Sequence, residues 1–306
     1  MVQIAEDYRR YLDPSALARI SRLDLRARRL AEGFIAGRHR SPTYGFSVEF
    51  AQHRKYAQGD DLRHIDWKVY GRTDKHYVKQ FLQESNMQLL LAVDTSRSMS
   101  YRHDDSPMSK RDYAMTVAAA VAFIAVQQSD HVALAVFDSR LHRLGRPSNH
   151  PGKWKNVVLE LAQRPEGGRT AFKAVLDELA ETLHRRHLVV VISDLFGPAD
   201  DILAGIKHLR HRHHEPIVLQ VLDRAELTYP FQRPLRFLGL EDDGAMITEP
   251  RAMRRRYLAR LEAFIRELRQ GCRRQRTDFE VLDTSAPVNT ALHTILAARA
   301  ASMRRG

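Results

Sequence analysis

The chain is expected to fold as an α/β protein whose mostly parallel sheet is covered by helices on both faces, preceded by an N-terminal extension of a helix and short strands. Three features predict this. Two unbroken apolar runs, Leu89-Leu90-Leu91-Ala92-Val93 and Leu188-Val189-Val190-Val191-Ile192, lead into Asp94 and into Ser193-Asp194; runs of this kind suit strands buried on both faces. Strand-like and helix-like segments alternate from residue 88 onward, the pattern of a parallel sheet with crossover helices. With 306 residues, 43% hydrophobic and 28% charged, the chain has the length and composition of a globular protein with a full core.

The elements follow in order. Over residues 16–37, Leu17, Ile20, Leu23, Ala27, Leu30, Ala31 and Phe34 recur at helical spacing, with arginines on the other faces. Pro42 and Gly45 break that pattern. Phe46, Val48 and Phe50 then alternate like a strand, as do Tyr77, Lys79 and Phe81, on either side of the polar loop Tyr56-Ala57-Gln58-Gly59-Asp60-Asp61-Leu62-Arg63 and of Ile65-Asp66-Trp67. Residues 1–87 are read as an extension packing on the core, and 88–306 as the α/β domain. Within the domain the spacing predicts a strand at 89–93, a helix at 110–127 with Ala114, Val117, Ala118, Val121 and Ala125 on one side, and a strand at 132–137. Helices at 154–161 and 171–183, a strand at 188–192, a helix at 201–210 and a strand at 217–222 continue the alternation. A hairpin is expected at 236–240 and 245–248 about Asp242-Asp243-Gly244. A long basic helix at 251–274, a strand at 279–282 and a helix at 289–303 complete the chain.

Composition narrows the setting. Cys272 is the single cysteine, which excludes an internal disulfide and a multi-cysteine zinc cage. A reducing compartment is compatible with that, so a cytoplasmic location is expected. The first twelve residues lack the apolar core of a signal peptide. The most apolar run, Ala114 to Val126, is shorter than the roughly 20 residues a membrane span needs. No transmembrane segment is expected, and membrane contact would be peripheral. The net charge of +12 is concentrated in 19–40 and 251–276, a field that suits anionic partners and equally suits solvated helix faces. Aromatics are not interleaved with the arginines and no base-reading motif is present, so specific nucleic-acid recognition is not expected.

The chemistry gathers at strand ends. Asp94-Thr95-Ser96-Arg97-Ser98 follows one buried strand, Gly167-Gly168-Arg169-Thr170 precedes a helix, and Ser193-Asp194 ends another buried strand. In open parallel sheets ligands bind beyond the carboxyl ends of the strands. Hydroxyls and carboxylates converging there supply hard oxygens, which Mg²⁺ takes at roughly 2.0–2.1 Å. Helix capping by the same Ser and Asp residues is the alternative reading for the first motif taken alone.

D-x-S-x-S, then a Thr after glycines, then a strand ending in Asp, resembles the metal-ion-dependent adhesion site of von Willebrand factor A domains. The segment Tyr56 to Arg72, Y-A-Q-G-D-D-L-R-H-I-D-W-K-V-Y-G-R, resembles the signature of the bacterial family called domain of unknown function 58. The combined resemblance covers roughly residues 40–225. It implies a Rossmann-like, von Willebrand A-like domain in which Ser96, Ser98 and Thr170 bind Mg²⁺, or Mn²⁺ or Ca²⁺, through hydroxyls. Asp94 and Asp194 would act directly or through water, and one open position would receive an Asp or Glu from a partner protein. Many members of the family look like companions of MoxR-type AAA+ ATPases, which implies an adaptor in chaperone-like assembly or maturation. Two positions depart from the pattern: Gly71 stands where Ala often precedes the Arg, and Arg169 adds a cation between the glycines and Thr170.

Within the signature segment Gly59 permits a tight turn. Asp60, Asp61, Arg63, Asp66 and Arg72 are dense enough to pair into a lattice anchored by Tyr56 and Trp67, or to form a docking surface. An enzyme reading, a Mg²⁺-dependent phosphatase with Asp94 as nucleophile, would require a second acid two residues on. Ser96 stands there, and a hydroxyl is a poor proton shuttle near neutrality. Neither G-x-S-x-G nor a Walker A loop occurs. His208, His211, His213 and His214 lack zinc-ligand spacing, and Cys272 falls on an apolar helix face, where packing is the expected role. A non-enzymatic, metal-dependent binding protein is therefore expected.

Overall fold

The computed structural model describes residues 23, 27–28, 30–31, 53–55, 77–79, 88–162, 167–168, 170–232, 235–238, 245–248 and 250–303. The chain divides into two compact units, one of residues 1–35 with 87–306 and one of residues 36–86. The segment 1–87, expected as one extension, is thus split between them. Leu23, Ala27 and Ala31 are helical and buried in the larger unit's core, because their helical spacing presents one apolar stripe. In the smaller unit β1 (His53–Lys55) pairs antiparallel with β2 (Tyr77–Lys79), His53 opposite Lys79. The strand expected at 46–50 lies outside the described residues, and β1 was not foreseen.

The larger unit is built on β3 (Gln88–Asp94), β4 (His131–Phe137), β5 (Leu141–Leu144), β6 (His187–Ser193), β7 (Glu215–Leu222) and β10 (Asp278–Asp283), in the order β10-β7-β6-β3-β4-β5. Every neighbouring pair is parallel except β4 with β5. The helices are α1 (Lys110–Gln127), α2 (Lys153–Ala162), α3 (Phe172–Thr182), α4 (Ala199–His211), α5 (Arg224–Thr228), α6 (Pro250–Arg274) and α7 (Asn289–Met303). A separate hairpin joins β8 (Leu235–Leu238) to β9 (Ala245–Thr248), with Leu235 opposite Thr248.

Alternation along each central strand explains why these segments carry no polar positions. Leu89, Leu91 and Val93 of β3 join one core with α1, α2 and α7, whereas Leu90 and Ala92 join a second with α3, α4 and Leu268 of α6. Successive side chains of a strand point to opposite faces, and here both faces are covered. The alanines of α1 let it lie close against the sheet: Ala118, Ala119, Ala120 and Ala122 are fully buried. The indole N–H of Trp154 in α2 donates to the Ala119 carbonyl at 2.9 Å, satisfying a polar group inside this layer.

The chain leaves β3 through α1 toward β4 on one side of the sheet and leaves β6 through α4 toward β7 on the other. The winding therefore reverses between β3 and β6, and the crevice beyond their carboxyl ends is the switch point. Asp94 and Ser193 are the last residues of those two strands.

Two elements of the larger unit carry no periodic signal. β5 reads Leu-His-Arg-Leu, a half-exposed edge strand without clean alternation, reached by a turn in which Asp138 N–H bonds to the Arg140 carbonyl at 3.1 Å. α5 has five residues and is held by a capping box between Asp223 and Glu226. Among the described residues no helix is long and apolar enough to cross a membrane. Cys272 is buried, and burial pushes its thiol up to about 12. The histidine group does not converge. His208 lies between Asp177 at 2.7 Å and Glu181 at 3.0 Å, while His211 and His213 face solvent.

His214 is buried instead with His187, at the amino ends of β7 and β6. The His187 N–H donates to His214 Nδ1 at 3.3 Å, and the rings meet edge-on at 5.8 Å. Burial, then the neighbouring His187, lowers His214 to about 4, and burial lowers His187 as well. A depressed histidine favours the fold above its unfolded value, near 6.5, and that contribution is lost as pH falls from 6.5 toward 4. The stability of His214→Gln relative to wild type, from urea midpoints, is expected to rise as pH falls from 7.5 to 4.5; a difference that stays constant over that range contradicts the assignment.

Candidate metal site

At the end of β3 the chain remains pinned to β4 for one more residue. Thr95 donates both its N–H, at 2.8 Å, and its hydroxyl, at 3.1 Å, to the Phe137 carbonyl. The Ser96 N–H then turns back to Asp94 Oδ1 at 2.8 Å, the short-range bond by which Asp bends its own backbone. A 3-10 turn over Arg97–Ser100 follows and carries Ser98 back toward Ser96, their hydroxyls 3.1 Å apart.

A second loop is laced to the first. The Gly167 N–H bonds to the Thr95 carbonyl at 2.9 Å, and the Arg97 N–H to the Gly168 carbonyl at 3.3 Å. Asp138, after β4, anchors the same loop: its carboxylate accepts from the Gly168 N–H at 3.2 Å and its carbonyl from the Ala171 N–H at 3.2 Å. The approach is so close that a Cβ on Gly167 would lie 1.9 Å from Asp138 Oδ2, so a side chain there would force the loop apart. Thr170 is thereby brought over Asp94, with its hydroxyl 3.2 Å from Oδ2 and 3.4 Å from Oδ1.

From β6, the Ser193 hydroxyl donates to Asp94 Oδ2 at 2.5 Å and accepts from the Leu195 N–H at 3.0 Å. Leu195 takes φ 58°, turning the chain so that the Phe196 N–H reaches Asp194 Oδ1 at 3.2 Å. The other oxygen of Asp194 accepts from Lys110 Nζ at 2.9 Å, and its carbonyl accepts from the Gln220 amide at 3.0 Å. The side chain of Asp194 is therefore committed to Lys110 and the Phe196 backbone.

Asp94, Ser96, Ser98 and Thr170 thus meet at one point, with Asp194 beside them. Asp94 is fully buried. That burial, then the charge of Asp194, raises its carboxyl to about 7 against the hydrogen bonds from Ser193 and Ser96. A buried carboxylate facing a second one calls for positive charge. Three hydroxyls and a carboxylate are hard oxygen donors, and this set fits a hard divalent cation. Among the described residues no three His, Cys, Asp or Glu side chains cluster to hold a metal, so the donor set is rich in hydroxyls and poor in anions.

Tyr56, Gly59, Asp60, Arg63, Asp66, Trp67 and Arg72 lie outside the described residues, as does Arg169. Sequence reasoning missed Ser193 as a partner of Asp94, and it missed Lys110 and Glu226 altogether. One signal was present for Lys110: it occupies the first turn of α1, directly after the cap Ser109, where the helix dipole disfavours a cation.

Residues 52–264 match the family described as "Protein of unknown function DUF58". The chain is 27% identical over 223 residues to "Uncharacterized protein Rv1480" of Mycobacterium tuberculosis and to "Uncharacterized protein Mb1516" of Mycobacterium bovis, covering 71% of this chain and 68% of each relative. Among solved structures, BatB from Bacteroides thetaiotaomicron is similar at 15% identity and a TM-score of 0.44, covering 72% of this chain and all of that one. The SpRpn10 VWA domain is similar at 10% identity and a TM-score of 0.39, covering 67% of this chain and 93% of that one. Both scores fall below 0.5, and the fold rests on the strand order and register.

Because Asp94 titrates higher in the fold than in the unfolded chain, the metal-free protein loses stability as pH rises from about 4 through 7. Compared by thermal unfolding in chelator, Asp94→Asn is expected to gain stability relative to wild type as pH rises from 4 to 8; a variant that gains nothing relative to wild type over that range contradicts the burial argument.

Proposed function

The chain belongs to the DUF58 family, and we propose that it is a non-enzymatic, metal-dependent binding protein that recognises an acidic side chain on a partner. The observation that carries this reading is the convergence of Asp94, Ser96, Ser98 and Thr170 at the switch point of the sheet. Only Asp94 among them is anionic, and Asp194 already shares its charge with Lys110. A bound Mg²⁺, Mn²⁺ or Ca²⁺ would keep net positive charge there, which an incoming Asp or Glu neutralises.

Ser96 and Ser98 are buried and paired with each other, which suits holding an ion better than moving a proton. Asp94 has no neighbouring acid placed to protonate a leaving group at the position a phosphatase requires, since Ser96 occupies it. The resemblance to members accompanying MoxR-type AAA+ ATPases makes such an ATPase the first partner to test, with the protein acting in the cytoplasm as an adaptor in assembly or maturation.

Immobilised protein in native cell extract is expected to retain a partner with Mg²⁺ and release it on chelation, with identification of the retained proteins showing whether a MoxR-type ATPase is among them. Asp94→Ala is expected to lose retention. Retention that survives both chelation and Asp94→Ala contradicts the proposal.

A further inference from the structure

We infer that Lys110 is a built-in counter-ion that holds Asp194 away from the cation site, keeping one coordination position available to an outside carboxylate; this rests on the cation-site reading above. Lys110 is fully buried. Its ammonium donates to Asp194 Oδ2 at 2.9 Å and to Glu226 Oε1 at 2.8 Å. The rings of Phe196 and Tyr101 lie 4.6 and 5.8 Å from the same nitrogen, distances at which an aromatic face attracts a cation. Two carboxylates and two rings enclose one ammonium.

Glu226 and the backbone of Lys110 are held from elsewhere. Glu226 Oε2 accepts from the Asp223 N–H at 2.7 Å within the capping box of α5. Asp223 in turn accepts from the His103 N–H at 3.2 Å, and the Lys110 N–H bonds to the Tyr101 carbonyl at 3.1 Å. These bonds hold Glu226 and the start of α1 in place, so the ammonium bridges a fixed Glu226 to Asp194. An unpaired buried ammonium would be costly. Asp194 and Glu226 supply that pairing.

The consequence is one of charge and position. With Lys110 present, Asp194 is half neutralised and turned aside. Without it, Asp194 keeps only the Phe196 N–H on Oδ1 and becomes an uncompensated anion beside Asp94, able to take the position kept for a partner. Phe196 is the large hydrophobic left exposed among the described residues, at 39%. Its ring covers the Lys110 ammonium and its N–H bonds to Asp194 Oδ1.

The test uses the full chain and Mn²⁺ alone as probe, with affinity by calorimetry and the number of exchangeable waters on Mn²⁺ by electron spin resonance in ¹⁷O-water. Lys110→Met is expected to bind Mn²⁺ about tenfold more tightly, the scale on which groups behind the ligands tune a metal, and with one water fewer than wild type. Adding Asp194→Asn is expected to restore the water, a rescue that loss of packing would not produce. Glu226→Gln, which leaves Lys110 undivided on Asp194, is expected to bind Mn²⁺ several-fold more weakly at an unchanged water number, and it serves if Lys110→Met does not fold. Unchanged affinity and water number in Lys110→Met, or tighter binding in Glu226→Gln, would overturn the inference. Failure of the wild type to bind Mn²⁺ would instead overturn the cation site itself.

Discussion

A carboxylate buried where the winding of the sheet reverses is the constraint around which the larger unit is arranged. Asp94 cannot reach water, so its charge has to be met by protein groups or by a ligand. The Ser96 backbone, Ser193 and Thr170 answer it with hydrogen bonds from three separate loops. Those bonds require the loops to approach closely, which is why Gly167 presses on Asp138 and why Thr95 is held twice by one carbonyl. The second carboxylate, Asp194, makes the demand for positive charge larger, and Lys110 meets part of it. What remains unmet faces the Ser96, Ser98 and Thr170 hydroxyls, where a bound cation would answer it.

Much of this was legible in the sequence because it is locally encoded. β3 and β6 are unbroken apolar runs since helices cover both faces, and α1 and α6 announce themselves by periodicity. Asp94, Ser96 and Ser98 occupy five consecutive positions, so their meeting follows from one turn. Thr170 and Asp194 lie far along the chain and were reached through the strand-end rule and the family resemblance. Lys110 and Glu226 had neither route. Their contacts span 84 and 116 residues, no spacing encodes them, and a lysine at a helix start looks like a solvated surface group. β5 escaped notice for a related reason, since a half-exposed edge strand needs no alternation to be stable.

Part of the excess positive charge lies away from the Asp94 crevice. The arginines of α6 that are described are exposed, and Arg269, Arg273 and Arg276 line a cleft of about 530 Å³ with Thr277, Asp278 and Phe279. Asp278 opens β10, so this cleft lies at the amino-end edge of the parallel sheet, opposite the Asp94 crevice. Basic groups at a helix carboxyl end complement its dipole, which accounts for them without a ligand. That cleft is thus separated from the Asp94 crevice by the length of the strands, whereas Arg254 at the other end of α6 bonds to the Thr228 and Tyr229 carbonyls beside α5.

The most direct measurement is an anomalous difference map from crystals grown with Mn²⁺. The account predicts one strong peak in the crevice beyond β3 and β6, within bonding distance of the Ser96 and Ser98 hydroxyls, with Asp194 still on Lys110. A crevice without a peak in crystals that hold Mn²⁺ elsewhere, or a peak ligated without either serine, would contradict it.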